Sequence, residues 1–217
     1  IHFRLGRLQS EQLGDAAAAL TCYEEALRFD ADHAEAQDAV IAAARERSDF
    51  ARVAQLVARR AETERDLPAK VGRLRELAAL QLERLADPAA ALRTLEQARG
   101  LQPDDPAVLE PLADMYYAAG RTTDAEPLYR DLIARLGKGR RVKEQARFFY
   151  RLGAVAEKNG DMAGALKQYD EAYRIDTGHT ATLAALTRWW WRLVVRREHL
   201  RAPAPAAAAA KPPEAPS

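Results

Sequence analysis

A chain of 217 residues with 33 Lys and Arg against 32 Asp and Glu carries a net charge of +1, and 48% of it is hydrophobic. That balance argues against a dedicated nucleic-acid binder, which needs clustered excess cation; no uncharged apolar stretch reaches the roughly eighteen residues of a membrane-spanning helix. The only cysteine, Cys22, has no internal partner, so the fold does not depend on an oxidising compartment.

Apolar residues at three-to-five-residue steps, such as Leu5, Leu8 and Leu13 and then Leu20, Tyr23 and Leu27, predict helices almost from the first residue. The predicted spans are 1–13, 16–29, 34–47, 50–64, 70–85, 88–100, 106–119, 122–136, 143–159 and 162–175. No segment alternates with a sustained period of two, so no sheet is expected. Gly14, Gly120 and Gly160 sit where one helix stops and the next begins, a place that favours a residue tolerant of positive φ. Asp15, Asp49, Asp87 and Asp161 follow such breaks directly and are placed to cap the orphan amides of the next helix. Pro88, behind Asp87, suits a first helical turn, where no amide donor is missed. A second set of breaks falls at 30–32, 103–106, 136–137 and 176–178, which groups the helices in pairs.

The pairs are copies of one another. "LGDAAAALTCYEEAL" near the start returns as "NGDMAGALKQYDEAY" near residue 170. The turn residues are 14, 48, 86, 120 and 160, giving steps of 34, 38, 34 and 40. Five positions after each turn comes a small or branched residue (Ala19, Val53, Ala91, Ala125, Ala165), and four positions later Tyr23, Val57, Leu95, Tyr129 or Tyr169. Ala26 and Ala172 complete the pattern at its two ends. Units of this kind stack on a shared core and present a long surface rather than a deep pocket.

On these residues, together with Leu5-Gly6, Leu112-Ala113, Tyr116 and Leu152-Gly153, the chain resembles the tetratricopeptide repeat family through about residue 179. The resemblance implies an all-α, right-handed α-solenoid of five antiparallel helix pairs, at about 1–33, 34–69, 70–105, 106–142 and 143–179. A capping helix or incomplete sixth unit then spans 180–200, and an Ala/Pro-rich tail, 201–217, is expected to be disordered. The first and third units carry one extra residue before the turn, so their first helices should be slightly longer. Ala19, Ala91, Ala125 and Ala165 should face the partner helix at close approach, while Tyr23, Tyr129 and Tyr169 fill the gap to the next unit.

Catalytic chemistry is hard to find. His2, His33, His179 and His199 never pair at ligand spacing, and His33 and His179 read as solvated turn residues. Gly137-Lys138-Gly139-Arg140 lacks the leading Gly and the Ser or Thr of a phosphate loop. The expectation is no enzyme activity of this segment, no cofactor and no metal. The family resemblance implies instead a concave groove lined by the first helices and holding a segment of another protein. Mapped onto this sequence, its candidate residues are Arg7, Asp38, Arg45, Arg75, Glu83, Asp114, Tyr117, Tyr150 and Glu157. The Lys and Asn positions of family members that clamp a chaperone's terminal carboxylate are not matched, since Glu110 and Asp114, then Tyr150 and Ala154, stand there.

Two further features stand apart from the repeat. Lys138, Arg140, Arg141 and Lys143, with Arg135 and Arg147 nearby, form a basic insert that is either a solvated linker or a docking site for an acidic partner. The run "RWWWRLVVRR" at 188–197 has three readings: a cap using Leu183, Leu186, Trp190 and Leu193, an interfacial membrane or partner helix, or a carboxyl end altered in frame and never selected to fold. Membrane contact is expected only through 188–200. Abundant Ala and Arg suggest a bacterial origin, either cytoplasmic or periplasmic, with a soluble chain of unknown oligomeric state. The opening at Ile1, mid-pattern, suggests a fragment or a mature chain. The functional expectation is a non-catalytic interaction scaffold; alternatives are the repeat portion of a larger enzyme and a membrane-peripheral adaptor.

Overall fold

The computed structural model describes residues 1–136 and 142–201, with side chains described for 1–136 and 143–191. Among the described residues there are eleven helices and no strand: α1 (His2–Gln12), α2 (Ala16–Phe29), α3 (Ala34–Glu46), α4 (Phe50–Thr63), α5 (Leu67–Glu83), α6 (Pro88–Leu101), α7 (Pro106–Ala118), α8 (Thr122–Leu136), α9 (Val142–Lys158), α10 (Met162–Ile175) and α11 (Thr180–Arg201). The chain divides into two compact units, Ile1–Arg135 and Leu136–Ser217. The first is a run of stacked helix pairs, and the second holds the pair α9 and α10 with α11 against it. The basic insert at 138–141 and the tail beyond 201 lie outside the described residues.

Local chemistry sets the boundaries. All five turn residues take positive φ: Gly14, Gly120 and Gly160, and also Ser48 at 57° and Ala86 at 52°. The aspartates behind them cap as expected. Asp15 Oδ1 accepts from the amides of Ala17 and Ala18, Asp49 from Arg52, Asp87 from Ala90 and Asp161 from Gly164, at 2.9–3.1 Å. Each such cap contributes about 1 kcal/mol. The extra residue of the first and third pairs shows in the backbone. Asp15 and Asp87 donate to carbonyls six residues back (Gln9, Gln81), whereas Asp49, Arg121 and Asp161 reach only five residues back.

An L-residue in the left-handed region costs about 1–2 kcal/mol, which glycine escapes. Ala86→Gly should therefore raise the thermal midpoint of the first unit by a few degrees, although the more flexible unfolded chain offsets part of the gain. A lowered midpoint by calorimetry would count against strain at this turn.

α5 starts at Leu67, three residues before the predicted start. Asp66 caps it through the Ala69 amide at 3.0 Å, and Pro68 occupies the first turn, where a missing amide costs nothing. In the first unit Leu20, Leu27, Val40, Ile41, Val53, Leu56, Val57 and Leu77 form one core, and Ala61, Val71, Leu74, Ala98 and Val108 a second. In the second unit Ala165, Tyr169 and Ala185 form the core, with Tyr150, Leu186 and Trp189 against it. Ala19, Ala26, Ala91, Ala125, Ala165 and Ala172 are all buried, as the repeat requires.

The tyrosines touch their own pair and, for Tyr23 and Tyr169, the next unit as well: Tyr23 packs on the core with Ala36 and Val40 of α3, and Tyr169 shares a core with Ala185 of α11. A Cβ on Gly6 would meet the Tyr23 ring at 2.7 Å, and one on Gly153 the Tyr169 ring at 2.5 Å. The hydroxyls of Tyr129 and Tyr169 donate back to Asp114 and Glu157 of the preceding helix, at 2.5 and 2.9 Å. Leucine–glycine steps in the first helix thus leave the slot that the tyrosine fills.

The histidines also differ from expectation. His33 and His179 are half-buried N-caps of α3 and α11, each accepting the amide three residues on through Nδ1 at 3.3 Å. Each ring also packs on an aromatic of the preceding first helix, His33 on Phe3 at 4.6 Å and His179 on Tyr150 at 5.5 Å.

Finally, α11 docks by a face about one residue away from the predicted one. Thr182 and Ala185 are buried and Leu186 and Trp189 half-buried, whereas Leu183 and Trp190 are exposed, at 40% and 63%. Among the described residues the helix packs on α10, and Arg188 ties it to Glu157 of α9. The side chain of Leu193 lies outside the described residues.

Candidate functional site

Within the first unit, α5, α6 and α7 enclose a groove of about 790 Å³. Its walls are short and apolar. Ala78, Ala79 and Leu82 come from α5, Pro88, Ala89, Leu92 and Leu95 from α6, and Ala107, Pro111, Met115 and Ala118 from α7. Alanines let the helices approach closely and still leave room for an occupant, while Leu82 and Leu92 give the floor its relief. Leu82 is 44% exposed and offers an open apolar surface within the groove.

Pro111 lies inside α7 and has no amide to give the carbonyl of Ala107, one turn earlier. Both residues line the groove, so its wall holds a backbone acceptor without the usual helical donor.

Three of the nine predicted groove residues meet here. Arg75 and Glu83, exposed on α5, and Asp114, half-buried on α7, frame the apolar walls with both signs of charge. Asp114 is held in place by the Tyr129 hydroxyl. Tyr117 is half-buried on α7 but does not line the groove.

The others make contacts within the chain. Arg7 pairs with Glu11 along α1 at 3.2 Å. Asp38 pairs with Arg60, tying α3 to α4, and Arg45 with Glu76, tying α3 to α5. In the second unit Tyr150 packs against Tyr169 and His179, and Glu157 accepts from both Tyr169 and, at 3.0 Å, Arg188 of α11. Such pairs at half-exposed positions fix geometry more than they add stability.

The buried tyrosines are correspondingly stiff acids. Burial, aided by the bond to Glu157, holds the Tyr169 hydroxyl far above its ordinary pKa. Burial and the bond to Glu96 raise Tyr116 too, with the Arg121 guanidinium over its ring at 4.3 Å acting the other way.

The residues that sequence reasoning missed are the apolar ones. Leu82, Leu92, Pro111 and Ala118 carry no chemistry singly. Their signal was an excess of small or apolar residues on faces that a solvated helix would fill with charge. Among the described residues no group of three or more His, Cys, Asp and Glu is placed to hold a metal ion. No helix is long and apolar enough to cross a membrane, again among the described residues.

Family models described as "Tetratricopeptide repeat" match residues 1–33, 77–140 and 138–180, together more than half of the chain. The stretch they pass over, 34–76, contains α3 and α4, which nevertheless share a core. No curated protein sequence matches. Similar solved structures include YrrB, described as a TPR protein with an unusual peptide-binding site. It is 20% identical over 86% of this chain and 90% of its own, with a TM-score of 0.58. A MamA protein is 16% identical over 81% and 90%, with a TM-score of 0.55. PilF of Pseudomonas aeruginosa is 20% identical over 86% and 80%, with a TM-score of 0.51. At these identities the likeness is one of fold.

Proposed function

The chain belongs to the tetratricopeptide repeat family, and from that premise we propose that it is a non-catalytic scaffold whose α5–α7 groove holds an apolar segment of a partner protein. The observation that carries this reading is the groove itself, about 790 Å³ walled by Ala, Leu, Pro and Met and rimmed by Arg75, Glu83 and Asp114. Ligand sites of this type are mostly apolar, with few polar groups that fix orientation. The occupant that fits is a short run of apolar side chains flanked by one acidic and one basic residue, its backbone amide or a side-chain donor directed at the Ala107 carbonyl. A near-neutral chain has little use for a polyanion here. The peptide-binding description of YrrB is consistent with this use of the fold.

Leu82→Asp provides the test. Leu82 is exposed, so the substitution should leave the thermal midpoint within about 2 °C of the parent. Peptides selected from a random library on the parent protein should bind the variant at least tenfold more weakly by fluorescence anisotropy. Selected peptides that bind both proteins equally would place recognition elsewhere.

A further inference from the structure

Two charges on the rim of the α5–α7 groove are uncommitted. Among the described residues, Arg75 and Glu83 make no hydrogen bond or ion pair, and both are exposed. By contrast, Arg7, Asp38, Arg45 and Glu157 are all paired within the chain. Glu83 is also the last residue of α5, where a carboxylate opposes the helix dipole. No basic residue stands in that last turn, and the next residue, Arg84, lies over the Phe50 ring of α4 at 4.9 Å. The carboxylate adds nothing to the helix that carries it, and its charge is open to an occupant of the groove.

The two charges stand at opposite ends. They are eight residues apart on one helix, about 12 Å along its axis. Short turns reverse the chain between α5 and α6 and again between α6 and α7, so α5 and α7 run the same way. Buried residues set the register between them, with Leu74, Leu77 and Ala78 corresponding to Leu109, Leu112 and Ala113. Arg75 is thus level with Glu110, which does not line the groove, and Glu83 with Ala118, which does. Asp114 falls midway, level with Ala79, its carboxylate held by the Tyr129 hydroxyl. The groove is cationic at one end and anionic from its middle to the other.

The Ala107 carbonyl, left by Pro111 without its helical donor, lies toward the cationic end. A helix has free amides only in its first turn, whereas an extended segment presents unpaired amides all along its edge. Across about 12 Å an extended chain advances about four residues. Resting on the reading of the groove as a peptide site, we propose that Arg75 and Glu83 determine its specificity. They select an extended segment with an acidic and a basic side chain about four residues apart, and they accept the two charges in one order. The reverse order sets like charges together at both ends. Turning the segment end for end realigns the charges but presents its chiral backbone to the α7 wall the other way round.

A random nine-residue peptide library, selected in parallel on the full chain and on its Arg75→Glu/Glu83→Arg variant, tests this. Both residues are exposed, so the variant's thermal midpoint should stay within about 2 °C of the parent. Peptides from the parent should share an acidic and a basic residue about four positions apart in a common order, and those from the variant the opposite order. Exchanging the two charges within one parent-selected peptide should weaken its binding to the parent at least fivefold, by fluorescence anisotropy, and strengthen its binding to the variant by as much. Both differences should shrink to less than twofold in 0.5 M salt, which screens exposed charges. The same order in both pools, or an exchange that neither protein feels, would overturn the proposal. So would charges about eight residues apart with apolar residues every three or four, the pattern of a helical occupant. Leu82→Asp keeps the two readings distinguishable. Binding lost in Leu82→Asp but indifferent to charge order leaves the groove as the site and removes the roles of Arg75 and Glu83. Binding that survives Leu82→Asp removes both readings, as does a selection that yields no binder.

Discussion

Tyr169→Ala should lower the melting transition of the second unit by about 10 °C or more. The side chain is fully buried and connects three helices at once. Its ring lies over Gly153 of α9, its hydroxyl donates to Glu157 of the same helix, and its body packs in one core with Ala185 of α11. Glu157 is also the acceptor for Arg188 of α11. Removing a buried aromatic side chain of this size costs about 3–5 kcal/mol, and each kcal/mol moves the midpoint of a chain this long by about 2–4 °C. Glycine at 153 worsens the loss, since no neighbouring side chain can swing into the space. Tyr169→Phe separates the contributions. It keeps the ring and loses one hydrogen bond, at about 1 kcal/mol. Calorimetry should therefore rank the parent above Tyr169→Phe and that well above Tyr169→Ala. Equal losses in the two variants would assign the stability to the hydroxyl and not to the ring in its slot.

Ala165→Phe should be nearly as damaging, and Ala163→Phe nearly silent. The two alanines are two residues apart on α10, yet Ala165 is fully buried and Ala163 exposed. Overpacking a close helix contact costs about 1–3 kcal/mol and sometimes more, whereas an exposed substitution stays within about 0.5 kcal/mol. A midpoint drop of about 5–10 °C for the first variant and less than 2 °C for the second is the expected result, by circular dichroism at 222 nm. Similar shifts would mean that α10 is rotated from the face described here.

What the sequence disclosed is what neighbouring residues decide. Positive-φ turns and Asp caps are local, so the breaks at residues 14, 48, 86, 120 and 160 were readable from a few letters each. The start of α5 was misplaced because Asp66 and Pro68 belong to a second kind of break that lacks the glycine. The face of α11 was misjudged for a different reason. An apolar stripe tells that a helix is amphipathic, but α11 has two adjacent stripes and docks on the α9–α10 pair through one of them. Which stripe is buried depends on the helix it meets, and the letters at 183–190 do not encode that choice. The groove shows the same limit. Charges at the mapped positions were legible as charges, but Arg45 and Glu157 find partners 31 residues away. The apolar walls arise only when residues 75–119 fold into three helices.

The aromatic clusters at the two ends have a bearing on how such a chain grows. Phe3, Tyr23 and His33 at the junction of α1, α2 and α3 are matched by Tyr150, Tyr169 and His179 at the junction of α9, α10 and α11. Each cluster also has its slot glycine, Gly6 or Gly153, under the tyrosine. The two seams are built from the same kinds of ring, with Phe3 in one where Tyr150 stands in the other. A duplication joined at that seam would meet a surface already shaped to accept it, and the array would lengthen by whole pairs without a new interface having to arise by mutation.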